Sequence, residues 1–296
     1  MKEMEDPEQF IVQWAQARTD IRAVLITSTR AIQDAKRDML SDYDVILIVE
    51  SIRPYVEDRS WINDFGDVLV VYWDPVYPHP VYGIDMIANV TQYASGLKID
   101  FTLQPVDLFR EIIAAPELPA ELDAGYRVLL DKDGLTRSML PPTGKGYIPK
   151  PPTFETYQIL INDFFSDVPY VAKCLWRDEL MPARWCLDFD MRYAYLQKVL
   201  EWRVEMDQNW SLPVGVNGKG LKEHLPPELW SHLEGIFAGA GIEENWNALM
   251  NMIALFRRVA VEVGEHLGYT YPYELDRNVT AYAERIRQLK PPVSLD

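Results

Sequence analysis

Strand-like and helix-like patterns of apolar residues alternate through the first half of the chain. Residues 6–8 (Asp-Pro-Glu) have the form of a helix start, and apolar residues follow at helical spacing as far as Ala15. Apolar runs predict six strands, at residues 21–27, 44–50, 68–73, 86–93, 97–103 and 127–130. The run DVILIVE at 44–50 is apolar on both faces after its aspartate, which predicts a central strand covered on both sides. Ala-Ser-Gly separates 86–93 from 97–103 and predicts a hairpin, and Pro105 is predicted to open a helix.

The second half changes to helical spacing after a proline-rich segment. The stretch PPTGKGYIPKPP at 141–152 contains five prolines and two glycines, which is typical of a linker. Beyond it, apolar spacing near 3.6 predicts helices at 154–165, 170–180, 183–206, 226–237 and 243–267, with no strand of comparable strength. The pattern predicts an α+β protein with a mixed-sheet domain at 1–140, a linker at 141–152 and a helical bundle at 153–296.

Composition and charge restrict the possible partners. No stretch approaches the roughly 20 uninterrupted apolar residues that a membrane helix needs. The two cysteines, Cys174 and Cys186, form no CxxC pair, which argues against a disulfide framework or zinc site and predicts a cytoplasmic protein. A net charge of −16 disfavours binding to nucleic acid and favours a cationic small molecule. Acidic surfaces also serve solubility alone, so the charge becomes informative only beside a second signal.

Three aspartates carry the clearest chemical signal. Asp42 and Asp44 lie two residues apart at the start of a predicted strand, so their side chains are expected on one face. Asp100 interrupts another apolar strand, where an unpaired carboxylate is costly. If the two strands are neighbours, the carboxylates converge and need a divalent cation, and oxygen ligands favour Mg²⁺ over zinc. The alternative is a chance DxD with Asp100 paired locally, but the strand placement of all three favours the metal site.

Two turns are candidates for phosphate binding. Ser28, Thr29 and Arg30 follow the first predicted strand, and such a turn can offer amide, hydroxyl and guanidinium groups to phosphates. The turn NGKGLK near Lys219 places two lysines ahead of a helix. Either turn, taken alone, is equally compatible with a plain helix start.

Taken in order, these segments resemble the aminoglycoside 6-adenylyltransferases, which are streptomycin-modifying nucleotidyltransferases. The resemblance covers nearly the whole chain and is carried by STR, RDMLSDYD, KIDFTLQP, LLDKDG, VAKCLWRDEL, NGKGLKEHLPPELW and LGYTYP. It implies a nucleotidyltransferase-type mixed sheet with flanking helices, joined to a C-terminal helical domain. It also implies ATP as co-substrate, Mg²⁺ as cofactor and an aminoglycoside as acceptor.

The resemblance also implies roles for individual residues. Asp42, Asp44 and Asp100 match the family's metal-binding carboxylates, Arg30 its triphosphate-side arginine, and Lys219 the lysine of its C-terminal glycine turn. The implied reaction is an in-line displacement of pyrophosphate assisted by two magnesium ions.

One departure bears on activity. The family's turn is Gly-Ser-Arg, whereas this chain has serine at position 28. Glycine adopts positive φ without penalty and lets the backbone approach a phosphate closely, and serine does so only with strain. Two alternatives therefore stay open: a nucleotidyltransferase with a different small acceptor, and a catalytically silent nucleotide- or ligand-binding homologue.

The acceptor side is expected in the helical domain. Asp188 and Asp190 are both candidates for the acidic residue that faces the acceptor hydroxyl, and only one can serve because positions two apart face different ways on a helix. Four further residues are assigned to acceptor binding, with ion pairing on a helix surface as the alternative: Trp176, Arg177, Asp178 and Glu179.

Overall fold

A computed structural model describes residues 6–32, 35–212 and 214–290 of the chain. It divides into two units of internal contacts, Met1–Tyr147 and Ile148–Asp296. The division falls inside the proline-rich segment 141–152, and the domain bounds 1–140 and 153–296 stay a prediction.

A seven-stranded mixed sheet organises the first unit, and its strands run in the spatial order β3-β5-β6-β2-β1-β7, with β4 paired to β5. Their bounds are β1 Ile21–Thr27, β2 Tyr43–Val49, β3 Val68–Trp73, β4 Tyr77–Pro78, β5 Asp85–Tyr93, β6 Lys98–Pro105 and β7 Tyr126–Asp131. Strands β2 and β6 are parallel, and the other neighbouring pairs are antiparallel. The predicted strands and the β5–β6 hairpin are therefore confirmed.

The centre of this sheet is buried on both faces. Val45 and Leu47 of β2 pack in one apolar cluster, while Ile46 and Ile48 pack in a second cluster on the opposite face. Side chains alternate between the faces of a strand, so a run without polar residues requires two covering layers. The prediction that this run is a central strand is confirmed.

Among the residues that the structure describes, five short α-helices flank the sheet, beside 3₁₀-helices at Ser60–Phe65 and Leu135–Ser138: α1 Pro7–Gln16, α2 Ser28–Ala31, α3 Arg53–Glu57, α4 Val106–Ala114 and α5 Ala120–Ala124. The carboxylate of Asp6 accepts the amide hydrogen of Gln9 at 3.1 Å, and Pro7 takes the first helical position where no amide hydrogen is needed. Pro105 is the N-cap of α4. Both predicted helix starts are confirmed.

Within residues 148–212 and 214–290, the regular secondary structure of the second unit is helical. Its α-helices are α6 Phe154–Trp176, α7 Leu180–Trp185, α8 Gln197–Asp207, α9 Leu221–His224, α10 Pro227–Glu234, α11 Ile242–Leu267 and α12 Tyr273–Arg287, and a π-helix spans Cys186–Leu196. The long helices α6 and α11 meet in the core, where the rings of Phe164 and Phe256 stack at 3.7 Å. The α+β class with a C-terminal helical region is confirmed. Within the described ranges, no helix is long and apolar enough to cross a membrane.

The helices of the second unit differ from the predicted ones in two respects. Residues 154–165 and 170–180 are not separate helices, because α6 continues through Pro169. Val168 and Val171, on either side of the proline, are fully buried, and their packing offsets the hydrogen bond that proline removes. Helix α12 was not predicted, since only two of its residues are buried and its apolar stripe is weak.

A buried ion pair attaches α12 to the rest of the second unit. Asp276 is 2% exposed and accepts hydrogen bonds from Arg257, from the Tyr271 hydroxyl at 2.8 Å and from the Thr280 hydroxyl at 2.9 Å. Burial by itself raises the pKa of Asp276, but the hydrogen bonds from these three partners outweigh it and hold the pKa below its usual value.

Replacing Asp276 with asparagine should lower the free energy of unfolding by about 3 kcal/mol, because Arg257 loses its buried counter-ion. In the parent protein the carboxylate's contribution is complete above the unfolded-state pKa of about 4 and is lost as the pH falls through the lower folded-state pKa. Urea titrations between pH 7 and pH 3 measure both effects. Asp207→Asn, which removes a half-exposed partner of Arg203, is the control and should cost less than about 1 kcal/mol. Equal losses for the two variants would contradict this assignment.

Candidate active site

The register of two neighbouring strands brings the three aspartates to one place in the first unit. In the parallel β2–β6 pair, Asp44 lies directly opposite Asp100. Asp42 immediately precedes β2 and, two positions from Asp44, shares its face of the sheet. The condition set by the sequence, that the two strands be neighbours, is met.

A lysine that the sequence analysis did not select lies among these carboxylates. The Nζ atom of Lys98 is 2.5 Å from Oδ2 of Asp42 and 3.0 Å from Oδ2 of Asp100. Lys98 is the first residue of β6 and therefore lies on the same face as Asp100, two positions later. The available signal was the spacing Lys-x-Asp on a predicted strand.

Burial and mutual repulsion act on the carboxylates. Burial first, and then the charge of Asp100, raise the pKa of Asp44 to about 6. Burial also raises the pKa of Asp100, although Lys98 opposes this shift. Burial alone would lower the pKa of Lys98, but its hydrogen bonds to Asp42 and Asp100 outweigh that effect and raise it. The cluster therefore carries more negative charge than its surroundings neutralise.

The donor set fits a hard divalent cation. All candidate ligand atoms are carboxylate oxygens, and Oδ1 of Asp100 is buried without a hydrogen-bond partner. A buried carboxylate oxygen is costly to leave unpaired, and coordination would satisfy it. Lys98, however, lies between these aspartates. The described residues whose ligand atoms all lie within 4.8 Å of one another are a different group: Asp167, Cys186 and Asp190.

The first phosphate-binding turn has the backbone that a glycine would favour. Ser28 begins α2 with a φ of 57°, in the left-handed region that costs a non-glycine residue about 1 kcal/mol. Its hydroxyl hydrogen-bonds to the carboxylate of Asp44, which lowers the pKa of that group against the larger effect of burial. Thr29 is half-buried beside it. The turn thus contacts the aspartate cluster directly.

Arg30 fixes the loop that carries Asp42. Its Nε donates to the carbonyl oxygen of Asp42 at 2.9 Å, and one terminal nitrogen donates to the carbonyl oxygen of Ser41 at 2.6 Å. The guanidinium carbon also lies 3.6 Å from the centre of the Tyr43 ring. These contacts position Asp42.

Lys219 lies in a tight turn of the second unit. Asn217 and Gly218 have φ values of 55° and 71°, so two successive residues are left-handed. Gly220 follows, and a Cβ there would meet the carbonyl oxygen of Val214 at 2.5 Å. This close approach explains the glycine of the turn structurally. The side chain of Lys219 is exposed.

The two acidic candidates of the second unit have different surroundings. Asp188 pairs with Arg184 at 2.8 Å and with the buried Arg192. Arg184 also donates to the carbonyl oxygen of Ala238 at 2.8 Å, and Arg192 to that of Ile236 at 3.0 Å. Asp188 therefore neutralises two arginines that hold the π-helix to the loop before α11.

Asp190 faces acidic groups instead. Its carboxylate, the carboxylate of Asp167 on α6 and the thiol of Cys186 place ligand atoms within 4.8 Å of one another. Burial and the charge of Asp190 raise the pKa of Asp167, and burial together with both carboxylates raises the pKa of the Cys186 thiol. π-helical segments are rare in proteins, and those that occur are often found at functional sites. Asp188 and Asp190 both lie on this π-helix but face different partners.

The remaining predicted acceptor residues form the end of α6. Trp176 donates its indole hydrogen to the carbonyl oxygen of Lys290 at 3.0 Å, and Arg177 lies 4.0 Å from Glu179. Asp178 is left-handed, with φ 60°, directly after the C-cap. These contacts are those of a helix terminus, and an acceptor role for the four residues stays a prediction.

An exposed aromatic pair adjoins Asp190. The rings of Trp185 and Phe189 stack with centroids 4.9 Å apart and planes 4° apart, although both side chains are more than 60% exposed. Met181 and Tyr193 extend the same four-residue spacing and are also exposed. The sequence analysis did not select this stripe, because aromatic residues at helical spacing usually form core.

Comparison with known proteins gives consistent matches along the chain. Residues 1–286 match the family model described as streptomycin adenylyltransferase. The chain is 29% identical over 269 residues to an aminoglycoside 6-adenylyltransferase of Bacillus subtilis (strain 168), covering 90% of this chain and 91% of the relative. It is 26% identical over 293 residues to an aminoglycoside 6-adenylyltransferase of Campylobacter jejuni, covering 98% and 97%. A crystal structure of an aminoglycoside 6-adenyltransferase from Bacillus subtilis aligns with 95% of this chain and 97% of its own, at 24% identity and a TM-score of 0.47.

Proposed function

The chain belongs to the streptomycin adenylyltransferase family, as its motifs predict, and from this premise we propose that it transfers AMP from ATP to a hydroxyl group of an aminoglycoside. Relatives named aminoglycoside 6-adenylyltransferase support this acceptor class. The net charge of −16 suits a polycationic acceptor such as streptomycin. Pyrophosphate is the second product.

The aspartates of the sheet are the proposed magnesium ligands. Asp42, Asp44 and Asp100 would hold Mg²⁺ through carboxylate oxygens, with Arg30 fixing the loop before Asp42. Magnesium bound there would stabilise the charge that develops on the α-phosphate and the acceptor oxygen, with two ions in the proposed reaction. Ser28, Thr29 and the exposed Lys219 are the proposed phosphate contacts.

Asp190 is the proposed acceptor-side carboxylate. Among the described residues it forms no ion pair with an arginine, whereas Asp188 forms two. A base must reach the acceptor hydroxyl, and a carboxylate whose oxygens are already bonded to two guanidinium groups is not free to do so. Asp167 beside Asp190 adds negative charge that would attract an ammonium or guanidinium group of the acceptor.

The observation that carries the proposal is the pairing of Asp44 with Asp100, beside Asp42, near the starts of two neighbouring central strands, where all three are partly buried. Burying carboxylates together costs free energy, and a protein without a cation to bind has little use for the arrangement. This favours an active enzyme over a silent homologue.

Pyrophosphate release from ATP, measured with and without streptomycin and Mg²⁺, tests the function. Release that requires both would support the proposal. If ATP binds in a magnesium-dependent way but no aminoglycoside causes pyrophosphate release, the acceptor belongs to another chemical class. If neither ATP binding nor pyrophosphate release occurs, the protein is the catalytically silent homologue.

Replacing Ser28 with glycine should lower the Kd for MgATP about three- to tenfold, equivalent to roughly 1 kcal/mol. Glycine removes the left-handed strain and the hydroxyl that bonds to Asp44, and it lets the backbone approach a phosphate. Isothermal titration calorimetry measures the Kd. Ser28→Ala is the control, because it removes the hydroxyl but keeps the Cβ atom. An unchanged Kd in the glycine variant would mean that serine is fully tolerated here.

Replacing Trp185 with alanine should raise KM for the aminoglycoside about tenfold with little change in kcat, because the exposed pair offers an aromatic face to sugar rings and cationic groups. Steady-state kinetics at saturating ATP measure the two constants. Trp185→Phe keeps a ring and should restore most of the affinity. A loss confined to kcat would remove Trp185 from acceptor binding.

A further inference from the structure

The carboxylate cluster already contains a cation that belongs to the chain. Lys98 Nζ hydrogen-bonds to one oxygen of Asp42 and one oxygen of Asp100, and its side chain is only 27% exposed. Neither the family match nor the named relatives assign a role to this lysine. Its position is nevertheless where a divalent cation bound by the same carboxylates would have to lie.

An ammonium group and a metal ion compete for the same atoms here. The ammonium group takes Oδ2 of Asp42 and Oδ2 of Asp100, and a divalent cation held by the same carboxylates would be strongly repelled by it. Meanwhile Oδ1 of Asp100 stays buried without a hydrogen-bond partner, and the hydrogen bonds of Lys98 go to Asp42 and Asp100 rather than to Asp44. The lysine therefore satisfies only part of the cluster, as a monovalent substitute would.

The side chain is able to leave. Lysine carries a point charge on a flexible four-carbon chain, in contrast to the planar fork of arginine. Lys98 begins β6 at the edge of the cluster, and its partly exposed side chain can turn toward solvent without moving the strand. Departure of the Lys98 ammonium group would not leave the carboxylates unpaired if a divalent cation took its place.

We propose that Lys98 is a resident counter-ion, which neutralises Asp42 and Asp100 in the metal-free enzyme and is displaced when a divalent cation binds. The inference rests on the proposed function, since it takes the three aspartates as metal ligands. It makes Lys98 a positioning residue rather than a catalytic one. Its consequence is a metal site that is stable when empty and binds metal more weakly than three bare carboxylates would.

Mn²⁺ binding to EDTA-treated enzyme, followed by electron paramagnetic resonance, tests the competition without measuring activity. Lys98→Met should bind Mn²⁺ about tenfold more tightly than the parent protein, because no hydrogen bonds to charged groups must be broken first. Lys98→Arg should remain close to the parent affinity. The metal-free Lys98→Met protein should melt at a lower temperature than the metal-free parent protein. Mn²⁺ should raise the melting temperature of the variant more than that of the parent.

Lysine labelling of the parent protein tests displacement directly and needs no variant. Acetylation read by mass spectrometry should modify Lys98 several times faster with saturating Mn²⁺ than without it. Lys132, whose Nζ donates to the carbonyl oxygen of Ala15 at 2.9 Å in the same unit, is the internal control and should not change.

The outcomes separate the inference from the proposed function. Mn²⁺ binding that Lys98→Met leaves unchanged or weakens would overturn the counter-ion role alone, as would equal labelling with and without metal. An absence of Mn²⁺ binding in both proteins would overturn the metal site and the inference together.

Discussion

Replacing Asp44 with asparagine should lower the rate of pyrophosphate release by at least about a thousandfold, because a magnesium ligand contributes several kcal/mol to transition-state stabilisation. The same variant should be as stable as the parent protein or more stable. Burial and Asp100 raise the pKa of Asp44 to about 6. Since a raised acid pKa means that ionisation is less favourable in the folded state, the neutral amide removes a penalty that begins above the unfolded-state pKa of about 4 and is complete above pH 6.

Coupled measurement of released pyrophosphate and thermal melting distinguishes this effect from unfolding. Asp107→Asn is a matched control, since Asp107 is 83% exposed at the start of α4 and should leave the rate unchanged. Near-normal release from Asp44→Asn would remove the cluster from the reaction. Lost activity with an equally large fall in melting temperature would point to a structural role instead.

Replacing Asp190 and replacing Asp188 should have opposite effects: the first should lower kcat, and the second should lower stability. Asp190→Asn should reduce kcat about a hundred- to ten-thousandfold, the usual range for loss of a general base, with a normal melting temperature. Asp188→Asn should retain the chemistry but lower the free energy of unfolding by about 3 kcal/mol, because Arg184 and the buried Arg192 lose their counter-ion.

Single-turnover rates with saturating ATP and acceptor, together with urea titrations, measure both variants. Each serves as the control for the other, since both change one aspartate to asparagine on the same π-helix. If Asp188→Asn loses kcat and remains stable, the assignment of the base is reversed. If neither variant changes kcat, the acceptor hydroxyl needs no carboxylate from this helix.

Local patterns predicted the elements well because the forces behind them act between near neighbours. The apolar run after Asp44 predicted β2 from burial on both faces, and Asp6 with Pro7 predicted the start of α1 from capping. The break expected near Pro169 was wrong, since the buried residues around it pack against α11 and hold α6 continuous. Helix α12 was missed because its apolar residues Leu275, Val279 and Ile286 are only partly buried, although they pack against the core of the second unit.

The part of the candidate site that could be predicted is the part that depends on residue type and on spacing along the chain. The DxD at 42–44 and the aspartate inside β6 were selected because carboxylates are costly on apolar strands. The sequence predicted backbone strain where serine replaces glycine at position 28, and Ser28 has a φ of 57°. This was predictable because the backbone conformation there follows from a local turn. The roles of these residues in metal and phosphate binding stay predictions.

By itself, the sequence determined the family, the α+β class, most strands and helices, and the three aspartates worth testing. Only the tertiary structure decided which distant groups face one another: Lys98 between Asp42 and Asp100, and Asp167 beside Cys186 and Asp190. The physical reason is range. Periodicity and capping act over a few residues, whereas strand register and helix packing join groups that are 20 to 60 positions apart, as the 56 residues between Asp42 and Lys98 illustrate.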